Sequence, residues 1–204
     1  MGSRLSVELL GRGYGVRGLV RAGSERKLAA GCEAVVGDAL DSSAWASRVK
    51  GCDTFVHLVG VAHPSPAKAE QFRSIDLAGA KVAVAAAVAA GVRHFVYVSV
   101  AHPAPMMHAY IAARSEAEEA IRGSGLSATI LRPWYVLGPG RWWPLVLVPG
   151  YWIAERVPST RESARRLGLL RWRQMIAAMA DAVDHPPRGV RVLEVPEIKS
   201  RAFA

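Results

Sequence analysis

Ser99, Tyr110 and Arg114 are the residues whose types and spacing could support chemistry in this 204-residue chain. Ser99 lies near the end of a run at positions 93–100 that is rich in β-branched and aromatic residues, which is typical of a buried strand. Tyr110 and Arg114 are one helical turn apart and therefore share a helix face. If the strand end brings Ser99 close to that face, a hydroxyl, a phenol and a fixed positive charge surround one pocket. Such a set suits proton transfer to a carbonyl or alcohol oxygen.

The elements that position these residues alternate between strand and helix patterns along nearly the whole chain, which predicts βα units around a mostly parallel sheet. Strands are predicted at 14–21, 33–37, 53–59, 93–100, 127–131 and 190–195, and helices at 3–10, 24–30, 42–49, 67–90 and 172–183, besides the one that carries Tyr110. We expect an α/β fold, a Rossmann-like doubly wound parallel sheet. Residues 1–204 are expected to form one domain, with 140–204 as a C-terminal lid or cap.

The start of the sequence departs from this pattern. A doubly wound nucleotide-binding sheet begins with a strand, a glycine-rich turn and a helix, whereas this sequence begins at the helix. Without a first strand between them, the strands at 14–21 and 53–59 would each expose an edge. We expect the sequence to start at an internal methionine or to be a fragment; the alternative is a natural variant that closes the gap differently.

Six ordered motifs resemble the short-chain dehydrogenase/reductase superfamily, in its atypical and extended NAD(P)H-binding, epimerase-like branches. In order along residues 2–139 they are Gly2-Ser-Arg-Leu before a helix, Gly-Val-Arg-Gly-Leu-Val-Arg21, Val-Gly-Asp38, Val-His-Leu-Val-Gly60, Phe-Val-Tyr-Val-Ser99 with Tyr110-x-x-x-Arg114, and Leu-Arg-Pro133 with Val136 and Gly138. The resemblance makes Gly2 the last glycine of the family's Gly-x-x-Gly-x-x-Gly turn. The first two glycines of that turn are absent from this sequence.

The resemblance implies a cofactor site at the ends of several strands. Its expected residues are Gly2, Arg21, Asp38, Leu58, Val59, Gly60, Pro133 and Val136. Arg21 follows the second strand of the family pattern, where an arginine can pair with a 2′-phosphate, so NADP is expected in preference to NAD. A solvated surface arginine is the alternative. Asp38 would lie near the adenine, or would cap a helix together with Asp41 and Ser42.

The resemblance also implies roles for the three residues considered first. Tyr110 would donate or accept the proton, Ser99 would orient the substrate oxygen, and Arg114 would replace the family's lysine as electrostatic partner. An arginine cannot give up its proton, and Val100 stands where family members often carry a second hydroxyl. The implied activity is hydride transfer between NADP(H) and a carbonyl or alcohol of a small-molecule substrate. The alternative is a non-catalytic dinucleotide-binding module for redox sensing or for stabilising a complex.

Composition narrows the partners and the compartment. The net charge of +9 and the pI near 10.1 come from charge spread along the chain, which suits solubility or anionic ligands better than a nucleic-acid groove. We therefore expect no nucleic-acid partner. Cys32 and Cys52 form no disulfide pattern, so a cytoplasmic location is expected. His57 is interpreted as a packed core histidine, and no metal site is expected because the histidines lack ligand spacing.

Residues 142–173 combine tryptophans and prolines with a following series of arginines. One interpretation is an aromatic lid over an apolar substrate. A second is peripheral membrane contact, with aromatic side chains at headgroup depth and arginines on anionic lipid. A third is a packing or homodimer surface. The uncharged run 142–154 is too short to span a bilayer.

Overall fold

The computed structural model describes residues 1–138 and 166–201. Its strands are β1 (Arg17–Val20), β2 (Glu33–Val36), β3 (Thr54–His57), β4 (His94–Val98), β5 (Ser127–Leu131), β6 (Tyr135–Leu137), β7 (Leu169–Arg171) and β8 (Val190–Leu193). Its helices are α1 (Gly2–Gly11), α2 (Ala69–Gln71), α3 (Ala78–Ala89), α4 (His108–Gly123), α5 (Trp172–Asp184) and α6 (Val195–Ser200). The expected α/β fold is confirmed.

Four parallel strands in the order β3-β4-β5-β8 form the largest sheet. Strands β4 and β5 are almost wholly buried because apolar side chains cover both of their faces. One core cluster joins the sheet to α3 and α4, and the other joins it to α1, α5 and α6. The sheet is therefore wound on both sides, as the alternating pattern predicted.

The expected break in the sheet lies between β1 and β3. Strand β1 pairs in parallel with β2, and within the described ranges neither of these two strands pairs with β3. Several side chains of β1 and β3 are only partly buried, in contrast to those of β4 and β5. Each of the two strands flanking the break thus keeps one edge without a strand partner in the described part of the chain.

Two predicted helices are wrong, and one is more complex than predicted. The segment 24–30 contains a single 3-10 turn at Glu25–Lys27, and 42–49 contains two such turns, Ser42–Ala44 and Ala46–Val49. Both segments are too short to hold a stable helix without a continuous apolar face. In the predicted helix 67–90, a π-helical turn at Phe72–Leu77 separates α2 from α3.

Helices α1 and α5 lie side by side and parallel. The Arg4 guanidinium lies 4.0 Å from the Trp172 ring centre at their N-terminal ends. At their C-terminal ends, Arg12 pairs with Asp184, which also accepts a 2.6 Å hydrogen bond from the Tyr14 hydroxyl.

In the described part of the chain, no helix has both the length and the apolar character that crossing a bilayer requires.

Candidate functional site

The candidate site lies at the carboxyl edge of the parallel strands. Strands β3 and β4 end at this edge just before Leu58 and Ser99, respectively, and the start of α1 joins them there. A Cβ atom placed on Gly2 would lie 3.8 Å from Leu58 Cδ1, so the first turn of α1 packs on the residue that follows β3. The N-terminus of a helix, with its free N–H groups, therefore lies where the sheet ends.

The loop after β2 lies at the same edge, because its Leu40 packs on α3 beside Val59. A Cβ atom placed on Gly79 would lie 3.4 Å from Leu40 Cδ2 and 3.9 Å from Val59 Cγ1. Asp38 sits at the start of this loop and forms a local turn, in which its Oδ1 accepts a 3.0 Å hydrogen bond from the Leu40 N–H. The capping role falls to Asp41, whose Oδ1 accepts from the N–H at the start of the following 3-10 turn, 2.9 Å away.

The remaining expected cofactor residues differ in their exposure. Arg21 lies directly after β1 and is exposed. Pro133 is buried, and its carbonyl accepts a 2.8 Å hydrogen bond from the Ala101 N–H. Val136 lies in β6 and packs partly buried against the core cluster beneath α1 and α5. Their roles toward a cofactor stay predictions.

Ser99 is bonded to a buried carboxylate. Its hydroxyl donates a 2.6 Å hydrogen bond to Glu118 Oε1, and Glu118 is 1% exposed. Arg132 donates to both oxygens of Glu118, at 2.9 and 2.5 Å, and Arg122 donates to Oε2 at 2.9 Å. Burial by itself would raise the pKa of Glu118, but the hydrogen bonds from Arg132 and Ser99 lower it to about 2. The Ser99 hydroxyl hydrogen is therefore directed to a partner that is charged at neutral pH.

Arg114 is buried in an ion pair. Its Nη2 donates to Asp76 Oδ1 at 2.5 Å, while its Nη1 donates to the Val98 carbonyl at 2.8 Å and to the Tyr97 hydroxyl at 3.3 Å. Burial disfavours the charge, but Tyr110, Tyr97 and Asp76 hold the pKa of Arg114 above its usual value. The positive charge of Arg114, which a reductase would direct toward its site, is thus largely neutralised by Asp76.

Tyr110 lies on the same side of α4 as Arg114, as the spacing predicted. Its ring is 5.2 Å from the Arg114 guanidinium carbon and 4.9 Å from the Phe72 ring. Burial raises the pKa of Tyr110, and the charge of Arg114 opposes that rise in part. Tyr110 is partly buried and packs against the core cluster that joins the sheet to α3 and α4.

Sequence reasoning missed the two buried carboxylates, Asp76 and Glu118, and the phenol of Tyr97. A signal for Glu118 was present, because Arg114, Glu118 and Arg122 follow one another at helical-turn spacing. Asp76 stood as a single acidic residue in the apolar run that ends at Ala90. Apart from the pair of Glu118 with Arg122, these residues are joined to their partners only by the fold.

His57 is the packed core histidine that was predicted. Its ring stacks near Phe95 and Tyr97, at 6.3 and 5.8 Å, and burial, with a smaller effect of Arg114, lowers its pKa to about 3. Within 1–138 and 166–201, no group of three or more histidine, cysteine, aspartate or glutamate side chains is placed to hold a metal ion.

Comparisons with known proteins identify the family. Residues 1–139 match the model of a family described as NAD(P)H-binding. A ceramide reductase of Caulobacter vibrioides (strain NA1000 / CB15N) is 34% identical over 108 residues, which are 53% of this chain and 33% of that protein. The matched stretch thus spans about a third of the length of this curated relative.

Solved structures share the fold. A short-chain dehydrogenase/reductase superfamily protein from Agrobacterium tumefaciens with bound NAD has a TM-score of 0.67 at 21% identity, over 94% of this chain and 73% of that chain. A dTDP-glucose 4,6-dehydratase from Streptomyces venezuelae, also with NAD bound, has a TM-score of 0.68 at 20% identity, over 99% and 76%.

Proposed function

Because the chain belongs to the NAD(P)H-binding family and has the fold of the short-chain dehydrogenase/reductase superfamily, we propose that it binds NADP(H) and reduces a carbonyl group of an apolar substrate. The observation that carries the proposal is the partly buried Tyr110, whose ring centre lies 5.2 Å from the guanidinium carbon of Arg114, which is bonded to the carbonyl at the end of β4. A phenol with a raised pKa stays protonated at neutral pH. That is the protonation state from which reduction of a carbonyl begins, and the charge of Arg114 offsets part of the rise that burial causes.

The chain's own residues fit a dinucleotide in two places. The N-terminus of α1 at Gly2, beside Leu58, offers N–H groups to a pyrophosphate. The buried Arg114 Nε has no hydrogen-bond partner in the part of the chain that the structure describes, so a ribose hydroxyl could accept from it. Leu58, Val59 and Gly60 would lie along the cofactor, and the exposed Arg21 would pair with the 2′-phosphate that distinguishes NADP from NAD.

In this proposal the dinucleotide supplies the hydride, and Tyr110 donates its proton to the oxygen that becomes the alcohol. The Arg114 charge stabilises the phenolate left behind, although Asp76 weakens that effect. Arg114 cannot pass on a proton as a lysine can, so the phenol regains its proton from solvent. Ser99 orients the substrate oxygen only if its hydroxyl leaves Glu118.

The substrate class rests on two supports. The curated relative is named a ceramide reductase, which acts on a lipid, and the tryptophans of 142–173 suit an apolar lid. Residues 139–165 lie outside the described range, so the lid, the peripheral membrane contact and the homodimer surface remain proposals. The cap formed by 140–204 and the cytoplasmic location stay proposals as well; the free thiols of Cys32 and Cys52 support the latter.

A second candidate function is a dinucleotide-binding module without turnover. It is favoured by the Ser99 hydrogen bond to Glu118 and by the Arg114 ion pair with Asp76, because both interactions engage groups that a reductase would direct at its substrate.

Replacing Tyr110 with Phe separates the two candidates. We expect Tyr110→Phe to bind NADPH as the unaltered chain does, measured by fluorescence titration, and to lose reduction of long-chain ketones, measured by NADPH oxidation. Tyr14→Phe is the matched control, because the Tyr14 hydroxyl bonds Asp184 at the far end of α1. NADPH binding without turnover in all three proteins would favour the module. The absence of dinucleotide binding would refute both candidates.

A further inference from the structure

Asp76 joins two elements of the candidate site through one carboxylate. The residue is 0% exposed. Its Oδ1 accepts from Arg114 Nη2 at 2.5 Å, and its Oδ2 accepts from the Val61 backbone N–H at 3.0 Å. The first bond fixes α4 and the second fixes the loop after β3. Since each oxygen has a different partner, the position of the loop depends on the position of the ion pair.

Arg114 completes this connection on its other side. Its Nη1 donates to the Val98 carbonyl at 2.8 Å, which ties the guanidinium to the end of β4. A Cβ atom placed on Gly60 would lie 2.2 Å from Arg114 Nη2. The φ angle of Gly60 is not positive, so the glycine is required for space and not for an unusual backbone conformation. The loop backbone therefore rests directly on the guanidinium.

Asp76 lies within the π-helical turn Phe72–Leu77. A π-helical turn holds one residue more than an α-helical turn, so it rotates the residues that follow by about 100° relative to a continuous α-helix. Phe72, at the start of the turn, is 0% exposed and packs on Tyr110. π-Helical turns inside helices occur frequently at functional sites.

We propose that Asp76 is a positioning residue that holds the loop 58–61 in the conformation that receives the dinucleotide. This proposal rests on the proposed function, because it takes that loop to contact the cofactor. Asp76 acts through Arg114 and the Val61 N–H and touches no substrate. Arg114 occupies the position that the resemblance assigns to a catalytic lysine. Its pairing with Asp76 gives it a role in cofactor binding.

The test combines local hydrogen exchange with dinucleotide titration. Asp76→Asn keeps the size of the side chain but leaves the Arg114 charge unpaired. If the single variant does not fold, Asp76→Asn with Arg114→Gln removes both buried charges, and only its loop exchange is read, because Arg114 itself is proposed to contact the cofactor. Asp53→Asn is the matched control, since Asp53 forms an exposed ion pair with Arg93. Amide exchange at 58–61 is followed by mass spectrometry without ligand, and NADPH and NADH affinities are titrated by fluorescence.

We expect exchange at 58–61 to rise about tenfold or more in the Asp76 variants while β4 and β5 keep their protection. The NADPH affinity of Asp76→Asn should fall about tenfold or more. Unchanged exchange at the loop would overturn the proposal, as would a rise of equal size throughout the sheet, which marks a merely stabilising role. Faster loop exchange with unchanged NADPH affinity would also overturn it. If the unaltered chain binds neither dinucleotide, the proposed function fails, and the exchange data by themselves decide whether Asp76 holds the loop.

Discussion

Replacing Gly60 with Ala tests whether the loop after β3 rests on the buried ion pair. The φ angle of Gly60 is not positive, so alanine can adopt the same backbone conformation. Its methyl group would lie 2.2 Å from Arg114 Nη2 and 3.0 Å from Asp76 Oδ1, whereas ordinary contacts begin at 3.4 Å. Arg114 has little room to withdraw, because its other nitrogen is bonded to the Val98 carbonyl. The substitution therefore displaces either the loop or the ion pair by about 1 Å.

The expected loss of stability follows from these two possibilities. Overpacking against a buried side chain reduces the free energy of unfolding by about 1–3 kcal/mol, and leaving a buried charge without its partner reduces it by about 3–5 kcal/mol. We expect a value near the overlap, about 3 kcal/mol. For a chain of this size each kcal/mol lowers Tm by about 2–4 °C, so Tm should fall by about 6–12 °C.

Thermal unfolding followed by circular dichroism, with urea titration for the free energy, measures this loss. Gly123→Ala is the control, because Gly123 ends α4 and a Cβ atom there meets nothing within 4 Å. That variant should keep or slightly raise Tm. If Gly60→Ala and Gly123→Ala have equal Tm values, a side chain at position 60 does not crowd Arg114 enough to lower the free energy of unfolding, and the reasoning is refuted.

Three further predictions concern buried charges and cofactor choice. The pKa of Glu118 falls from 4.5 to about 2 on folding, so its carboxylate contributes roughly 3 kcal/mol to the free energy of unfolding above pH 4.5, and this contribution is lost as the pH falls toward 2. Glu118→Gln should therefore flatten the dependence of the free energy of unfolding on pH in this range, measured by urea titration at a series of pH values. A dependence equal to that of the unaltered chain would contradict the prediction. Burial lowers the pKa of His57 from 6.5 to about 3, so the folded protein keeps this side chain neutral and its free energy of unfolding declines as the pH falls below 6.5. His57→Leu should reduce that decline in the same urea titrations. A decline as steep as that of the unaltered chain, or steeper, would count against this prediction. Arg21→Ser should weaken NADPH binding by about 10- to 100-fold and leave NADH binding unchanged, with the exposed Arg26→Ser as control; equal losses for both dinucleotides would argue against NADP preference.

The order of elements could be predicted because each follows from a local pattern. The apolar run ending before Ser99 predicted β4, and the helix predicted at 172–183 corresponds to α5. The segments 24–30 and 42–49 failed because short polar stretches form 3-10 turns as readily as helices, and packing decides between them. The short parallel pair β6 and β7 was not predicted, since its strands are only three residues long.

The sequence by itself determined which residues share a helix face and in what order strands and helices follow. It therefore placed Tyr110 beside Arg114 and put both after Ser99. Only the tertiary structure decided what those groups bond to. Arg114 meets Asp76, 38 positions away, and Ser99 meets Glu118, 19 positions away. A buried charge requires a partner at close range, and the fold selects that partner from segments whose separation along the chain carries no local signal.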